Sequence, residues 1–90
     1  KKLCASREFD ACICLGAVIK GDTPHFDFIS AETSRGIGRV GLEFNIPVLF
    51  GVLTTNDLEQ AVARSGSNSS NKGRETALAA VEMANLFRKI

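Results

Sequence analysis

The stretch that decides the fold is Ala11-Cys12-Ile13-Cys14-Leu15-Gly16-Ala17-Val18-Ile19, followed by Lys20-Gly21-Asp22-Thr23-Pro24-His25. Residues 11–19 are continuously apolar rather than alternating. A strand buried on both faces reads this way, and such strands belong to parallel sheets. A helix is the competing reading, weakened by Gly16 and by Gly21 just beyond. In the polar run that follows, Thr23 suits an N-cap, and Pro24 suits the first helical position, where its missing N–H is not needed. The spacing predicts a helix from about Pro24, with Phe26, Ile29, Thr33, Ile37, Val40 and Phe44 on one face. Gly36, Gly38 and Gly41 lie inside it, each costing roughly 1 kcal/mol against Ala. Gly38 and Gly41 share a face and would let a neighbouring backbone come close. Asn45-Ile46-Pro47 ends the helix.

Working outward, Pro47-Val48-Leu49-Phe50-Gly51-Val52-Leu53 is a second apolar strand. Strand, helix and strand at this spacing make a βαβ unit, which is right-handed almost without exception. Thr54-Thr55-Asn56 predicts the cap of a further helix, with Asn56 and Glu59 as a capping box. That helix runs through Leu58, Ala61 and Val62 and stops at Gly66 as its C′ residue. Residues 67–71 are a polar loop, expected to be mobile. A last helix starts at Lys72 or Gly73 and turns Ala79, Met83, Leu86 and Ile90 inward, widened by Ala80, Val81 and Phe87. Residues 1–9 read as the tail of another helix.

The pattern predicts one α/β domain over residues 1–90, with a parallel sheet to which the chain supplies two strands and about three helices. Sheets usually have about 4–6 strands, and parallel ones need both faces covered. Further strands are therefore expected from an N-terminal part or from another chain. An opening Lys-Lys-Leu without Met points the same way.

Lys and Arg number 11 against 10 Asp and Glu, a formal charge of +1. So even a balance gives no electrostatic footprint for nucleic acid. The longest apolar stretch is residues 11–19, where a bilayer span needs about 20. The first residues do not read as a signal peptide. Three cysteines, Cys4, Cys12 and Cys14, are an odd number for a disulfide scaffold. Zinc held by Cys12, Cys14 and His25 lacks a fourth ligand. Core thiols in a reducing compartment, the cytoplasm, are the expectation, with no metal and no cofactor.

Ligands of open α/β sheets bind beyond the carboxyl ends of the strands. Residues 21–25 lie there, at a helix N-terminus whose free N–H groups and positive dipole suit a phosphate. Gly21 permits close approach, while the Asp22 carboxylate argues against an anion unless it turns away. His25, the only histidine, stands on the first helical turn, where the dipole favours the neutral imidazole used in proton transfer. A surface or capping histidine fits the position equally. Asp27, two residues on, does not face it along a helix. Arg64 and Lys72 bracket the polar loop, with Arg74 nearby, and either hold a phosphate or are simply solvated at helix ends. No Gly-x-Gly-x-x-Gly, P-loop, nucleophilic Ser motif or zinc signature is present.

Residues 16–27, from Gly16 through Lys20-Gly21-Asp22-Thr23-Pro24-His25 to Asp27, resemble the signature of the lumazine synthase family. Phe50-Gly51-Val52-Leu53-Thr54-Thr55, Leu58-Glu59-Gln60-Ala61, Asn71-Lys72-Gly73 and Glu82-Met83-Ala84-Asn85-Leu86 follow in that family's order. The likeness spans nearly the whole chain and corresponds to the C-terminal part, somewhat over half, of a typical member. It implies a flavodoxin-like three-layer sandwich with a four-stranded parallel sheet. It also implies a cofactor-free condensation in riboflavin biosynthesis. There, 5-amino-6-(D-ribitylamino)uracil and 3,4-dihydroxy-2-butanone 4-phosphate give 6,7-dimethyl-8-ribityllumazine, phosphate and water.

By the same resemblance, His25 is the acid/base residue, and Asp22 and Thr23 form the turn beside the butanone phosphate. Ala17, Val18 and Ile19 line the ribitylaminouracil. Phe50 and Arg64 come from the adjacent subunit, with Arg64 at the phosphate and Lys72 near the same group. Family members form pentamers, in some cases decamers or sixty-subunit shells, and riboflavin synthase is a further partner. The family's first strand with its ring-stacking aromatic, and a second motif carrying Ser and Glu, have no counterpart among these residues. The loop at 66–71 lacks the basic residue often found there. A non-catalytic lumazine- or riboflavin-binding or shell-forming subunit is the alternative. An unrelated flavodoxin-like phosphate-binding or signalling module would carry an acidic cluster or a flavin-type phosphate loop, and neither is seen.

Overall fold

The computed structural model describes all residues, Lys1–Ile90. A short helix α1 (Lys2–Ala5) leads into strand β1 (Cys12–Ile19). Helix α2 (His25–Phe44) crosses back to strand β2 (Val48–Thr55), and helices α3 (Leu58–Ser65) and α4 (Lys72–Lys89) follow. β1 and β2 pair in parallel along their whole length, from Cys12 opposite Val48 to Ile19 opposite Thr55. The α/β class, the two parallel strands and the three long helices are those expected. The sheet holds these two strands alone, so each has an unpaired outer edge.

Side chains alternate across the strands. Cys12, Cys14 and Val48 turn to α2, where they meet Thr33, Ile37 and Val40. Leu15, Ala17, Ile19, Gly51 and Leu53 turn to α3 and the start of α4. The buried residues are Cys4, Pro47, Gly51, Thr55, Ala61, Thr76 and Ala80, all small. They draw α3 and α4 close to β2 without burying any large side chain. β1 departs from the expectation of burial on both faces: Ile13, Leu15 and Ile19 are exposed, Leu15 at 66%. Nothing pairs with its outer edge, so the end of each side chain stays in water.

The element ends differ by about a residue from their sequence reading. Pro24, not Thr23, takes the N-cap of α2, and no side chain caps it. At α3 the cap is Asp57, not Asn56: the Gln60 N–H donates to Asp57 Oδ1 at 2.8 Å. Gln60 Oε1 accepts from the Asn56 N–H at 2.9 Å, so the reciprocal bond lies one residue earlier than in a simple capping box. The strand takes Thr54 and Thr55 for its own ladder, which pushes the cap along. Gly66 ends α3 with an extended backbone, φ −86°, rather than as a left-handed C′ residue. The left-handed C-cap is Asn45, φ 52°, whose N–H donates to the Gly41 carbonyl.

On α2 the inward set is Phe26, Ser30, Thr33, Ile37, Val40 and Phe44, with Ile29 rotated outward. Gly41 touches Ile46 O at 3.5 Å and Val48 at 3.6 Å from where a Cβ would stand, whereas Gly38 faces open space. The inward face of α4 is Thr76, Ala80, Met83 and Ala84, with Phe87 at its edge. Val81, Leu86 and Ile90, expected inside, are exposed. Ala79, Ala80 and Met83 are turned inward as expected, but the apolar residues of this helix exceed what one sheet face covers, so periodicity alone also took in residues outside the packed stripe.

Candidate active site

The carboxyl end of the sheet is fixed by the Lys20 N–H, which donates to the Thr55 carbonyl at 2.8 Å and closes β1 against β2. Chain direction then reverses through Gly21, Asp22 and Thr23 into α2. The Asp27 N–H donates to Pro24 O at 3.0 Å and starts the helix. Asp22, Thr23 and His25 are all exposed there, with His25 as the first helical residue. Its imidazole thus stands beyond the strand end, as expected, in reach of solvent and of any molecule lying across this rim.

A cleft of about 440 Å³ opens on the other side of the sheet, floored by Leu15, Ala17, Ile19 and Leu53 and walled by α3 and the start of α4. Arg64 and Lys72 both border it. Two cations over an apolar floor, one a guanidinium, suit a phosphorylated molecule with an uncharged body. Lys72 is held by Glu75, Nζ to Oε1 at 3.1 Å.

What sets Lys72 against the cleft is Asn71. Its Oδ1 accepts from the Arg74 N–H at 2.7 Å and caps α4. Its Nδ2 donates to the Gly66 carbonyl at 2.9 Å and ties the two helices together. Sequence reading took Asn71 as a loop residue. An Asn three residues before Arg74, at the head of an apolar periodic run, is the N-cap signal that would have found it.

The sequence-predicted residues therefore fall in two groups. Ala17, Ile19, Arg64 and Lys72 meet in the cleft. Asp22, Thr23 and His25 lie at the rim outside it. Val18 and Phe50 do not join the cleft. By strand alternation they leave the sheet on the α2 face, Phe50 opposite Cys14 in register. No three His, Cys, Asp or Glu side chains converge to hold a metal ion.

A two-strand parallel βαβ core, an apolar cleft bordered by two cations and a histidine at the strand-end turn define an α/β protein with a rim site of the kind such sheets carry. Comparison with known proteins narrows that class. Residues 1–88 match the family model described as 6,7-dimethyl-8-ribityllumazine synthase, and the chain belongs to that family. It is 58% identical over 90 residues to a 6,7-dimethyl-8-ribityllumazine synthase of Clostridium kluyveri. It is likewise 58% identical over 90 residues to one of Campylobacter lari. Each alignment takes in 100% of this chain and 58% of the relative, so the chain spans somewhat over half the length of these proteins.

Proposed function

We propose that the protein makes 6,7-dimethyl-8-ribityllumazine from 5-amino-6-(D-ribitylamino)uracil and 3,4-dihydroxy-2-butanone 4-phosphate, releasing phosphate and water. The observation that carries this reading is family membership over residues 1–88. His25 serves as the acid/base residue, moving protons between the amine, the carbonyl and the leaving groups. Asp22 and Thr23 hold the turn beside the phosphate. Ala17, Val18 and Ile19 border the pyrimidine, and Phe50 packs against it from a neighbour. Arg64 and Lys72 bind the phosphate ester, whose negative charge their separate positions would share.

The two groups of residues lie on different surfaces of one chain. In this reading each site is completed between subunits, with the rim around His25 of one protomer facing the Arg64 cleft of the next. The assembly is a homo-oligomer built on a pentamer. The three free thiols suit a reducing compartment such as the cytoplasm. No helix is long and apolar enough to cross a membrane.

The test is turnover by the full-length protein, followed through the absorbance of the lumazine product. His25→Ala should lower kcat by roughly 10²–10⁴-fold, the usual scale for losing an acid/base group. Arg64→Ala should mainly raise KM for the phosphate substrate. A folded preparation that binds ribityl ligands without forming product would instead support a non-catalytic binding or shell-forming subunit. Unchanged rates in His25→Ala would refute the assignment of that residue.

A further inference from the structure

Three thiols border one cavity on the side of the sheet away from the cleft. Cys12 and Cys14 are two apart on β1, so both turn toward α2. They border a cavity of about 260 Å³ together with Cys4 from α1. Cys4 and Cys12 also share a second, wholly apolar cavity of about 170 Å³ with Phe9 and Ile46. Of the three, only Cys4 and Cys12 line both cavities. Burial and the neighbouring Cys12 push the Cys4 thiol up from its ordinary value. All three cysteines are free.

We propose that Cys4 and Cys12 are a thiol–disulfide site, a reversible latch between α1 and β1 that takes a small-molecule disulfide such as oxidised glutathione as its oxidant. Cys4 is 2% exposed while Cys12 is half-buried, so the oxidant meets Cys12 first. The Cys12 thiolate attacks one sulfur of the oxidant, whose S–S bond breaks. One small thiolate leaves, and a mixed disulfide remains on Cys12. Cys4 then gives its proton to water and attacks the Cys12 Sγ, expelling the second small thiol. Two protein thiols become one disulfide and the oxidant becomes two thiols, so atoms and electrons balance.

A buried thiol held protonated reacts slowly with anything in solution. With the mixed disulfide on Cys12, across the same cavities, this second step is intramolecular, which offsets that slowness. Closing the bridge brings α1 and β1 together at these two residues. That helix is four residues long, and its ion pair to the rest of the fold is Lys1 to Glu43, exposed at 3.1 Å. Cys14 borders only the larger cavity and takes no part.

The experiment treats the purified full-length protein with oxidised glutathione, quenches in acid, and reads intact mass and a tryptic map without reduction. The expected result is a loss of two hydrogens with no retained glutathione, and a cross-link between the peptides of residues 3–7 and 8–20 at Cys12. Dithiothreitol should reverse it. Cys14→Ser should leave the bridge unchanged, and Cys4→Ser should trap the glutathione adduct on Cys12. The proposal is overturned by a lasting adduct in the unaltered protein or by a bridge at Cys14. It is equally overturned if the folded protein does not react under conditions that modify it when unfolded.

Discussion

Gly51 sits where α4 comes closest to the sheet. A Cβ built there would meet Leu15 Cδ2 at 2.8 Å, the Cys14 carbonyl at 3.0 Å and Thr76 Oγ1 at 3.1 Å. Leu15 can swing away, but Cys14 O is backbone, and Thr76 is buried and committed, its Oγ1 donating to Lys72 O at 2.7 Å. Gly51→Ala should therefore force the helix outward and lower stability by about 1–3 kcal/mol, read as a drop in the urea midpoint. Cys4 makes a second prediction at this scale. Its thiol is held protonated above the ordinary value of 9.0, mainly by burial. A folded-state value that is raised contributes stability fully present below 9.0 and lost as pH rises through the raised value. Unfolding midpoints taken from neutral into alkaline pH should show this loss, and Cys4→Ala should flatten it.

Single residues also mark the limit of sequence reading. His25 stands at the strand-end turn as the first residue of α2, and Pro24 and the end of an apolar run are the local signals for that position. Val18 was grouped with Ala17 and Ile19 as a contiguous stretch. The pleat sends it to the opposite face, so contiguity in sequence is not contiguity in a site.

At the level of elements, the caps hold the Arg64–Lys72 cleft together. Asp57 starts α3 and Asn71 starts α4. Asp57→Ala should cost about 1 kcal/mol, the usual loss for an N-cap. Asn71→Ala removes two bonds, the cap and the tie to Gly66, so it should cost about 1–2 kcal/mol. Thermal unfolding measures both. The second change should also weaken phosphate-substrate binding, since Lys72 follows Asn71 directly. Strand and helix existence was legible from apolar runs and from Gly, Pro and Asn. The inward face of α4 was legible only in part, Ala79, Ala80 and Met83 but not Thr76 and Ala84. Leu78, Val81 and Leu86 are as apolar as the residues that face the sheet, and only β2 selects among them.

The whole molecule is more open than its mass requires. Its accessible surface is 6544 Å². A compact monomer of this mass would show about 5,100 Å². The radius of gyration is 14.4 Å, against about 12 Å for a compact 90-residue chain. Large apolar side chains stand exposed, among them Leu42 at 87% and Phe28 at 68% on α2, and Leu58 on α3. Faces of this kind suit packing against more protein. If His25 of one subunit works with Arg64 of the next, two inactive variants should rescue each other. Co-refolding equal amounts of His25→Ala and Arg64→Ala would give roughly a quarter of sites with both side chains, since each site draws one from either partner at random. Activity near a quarter of the unaltered rate is expected; none after verified mixing would place both residues in one chain's own site.

From its amino-acid order alone this protein determined an α/β chain with two parallel strands, the helix beginning near His25, and the family its motifs resemble. These are local matters: apolar runs, helix breakers and turn residues act within a few positions of themselves. Only tertiary structure decided which stripe of α4 faces inward, that Arg64 and Lys72 share a cleft with Ala17 and Ile19, and that Cys4 and Cys12 border the same cavities. Each of those depends on residues distant in sequence being brought together by the sheet. The competing arrangements share the same local preferences and differ in what the strands can cover.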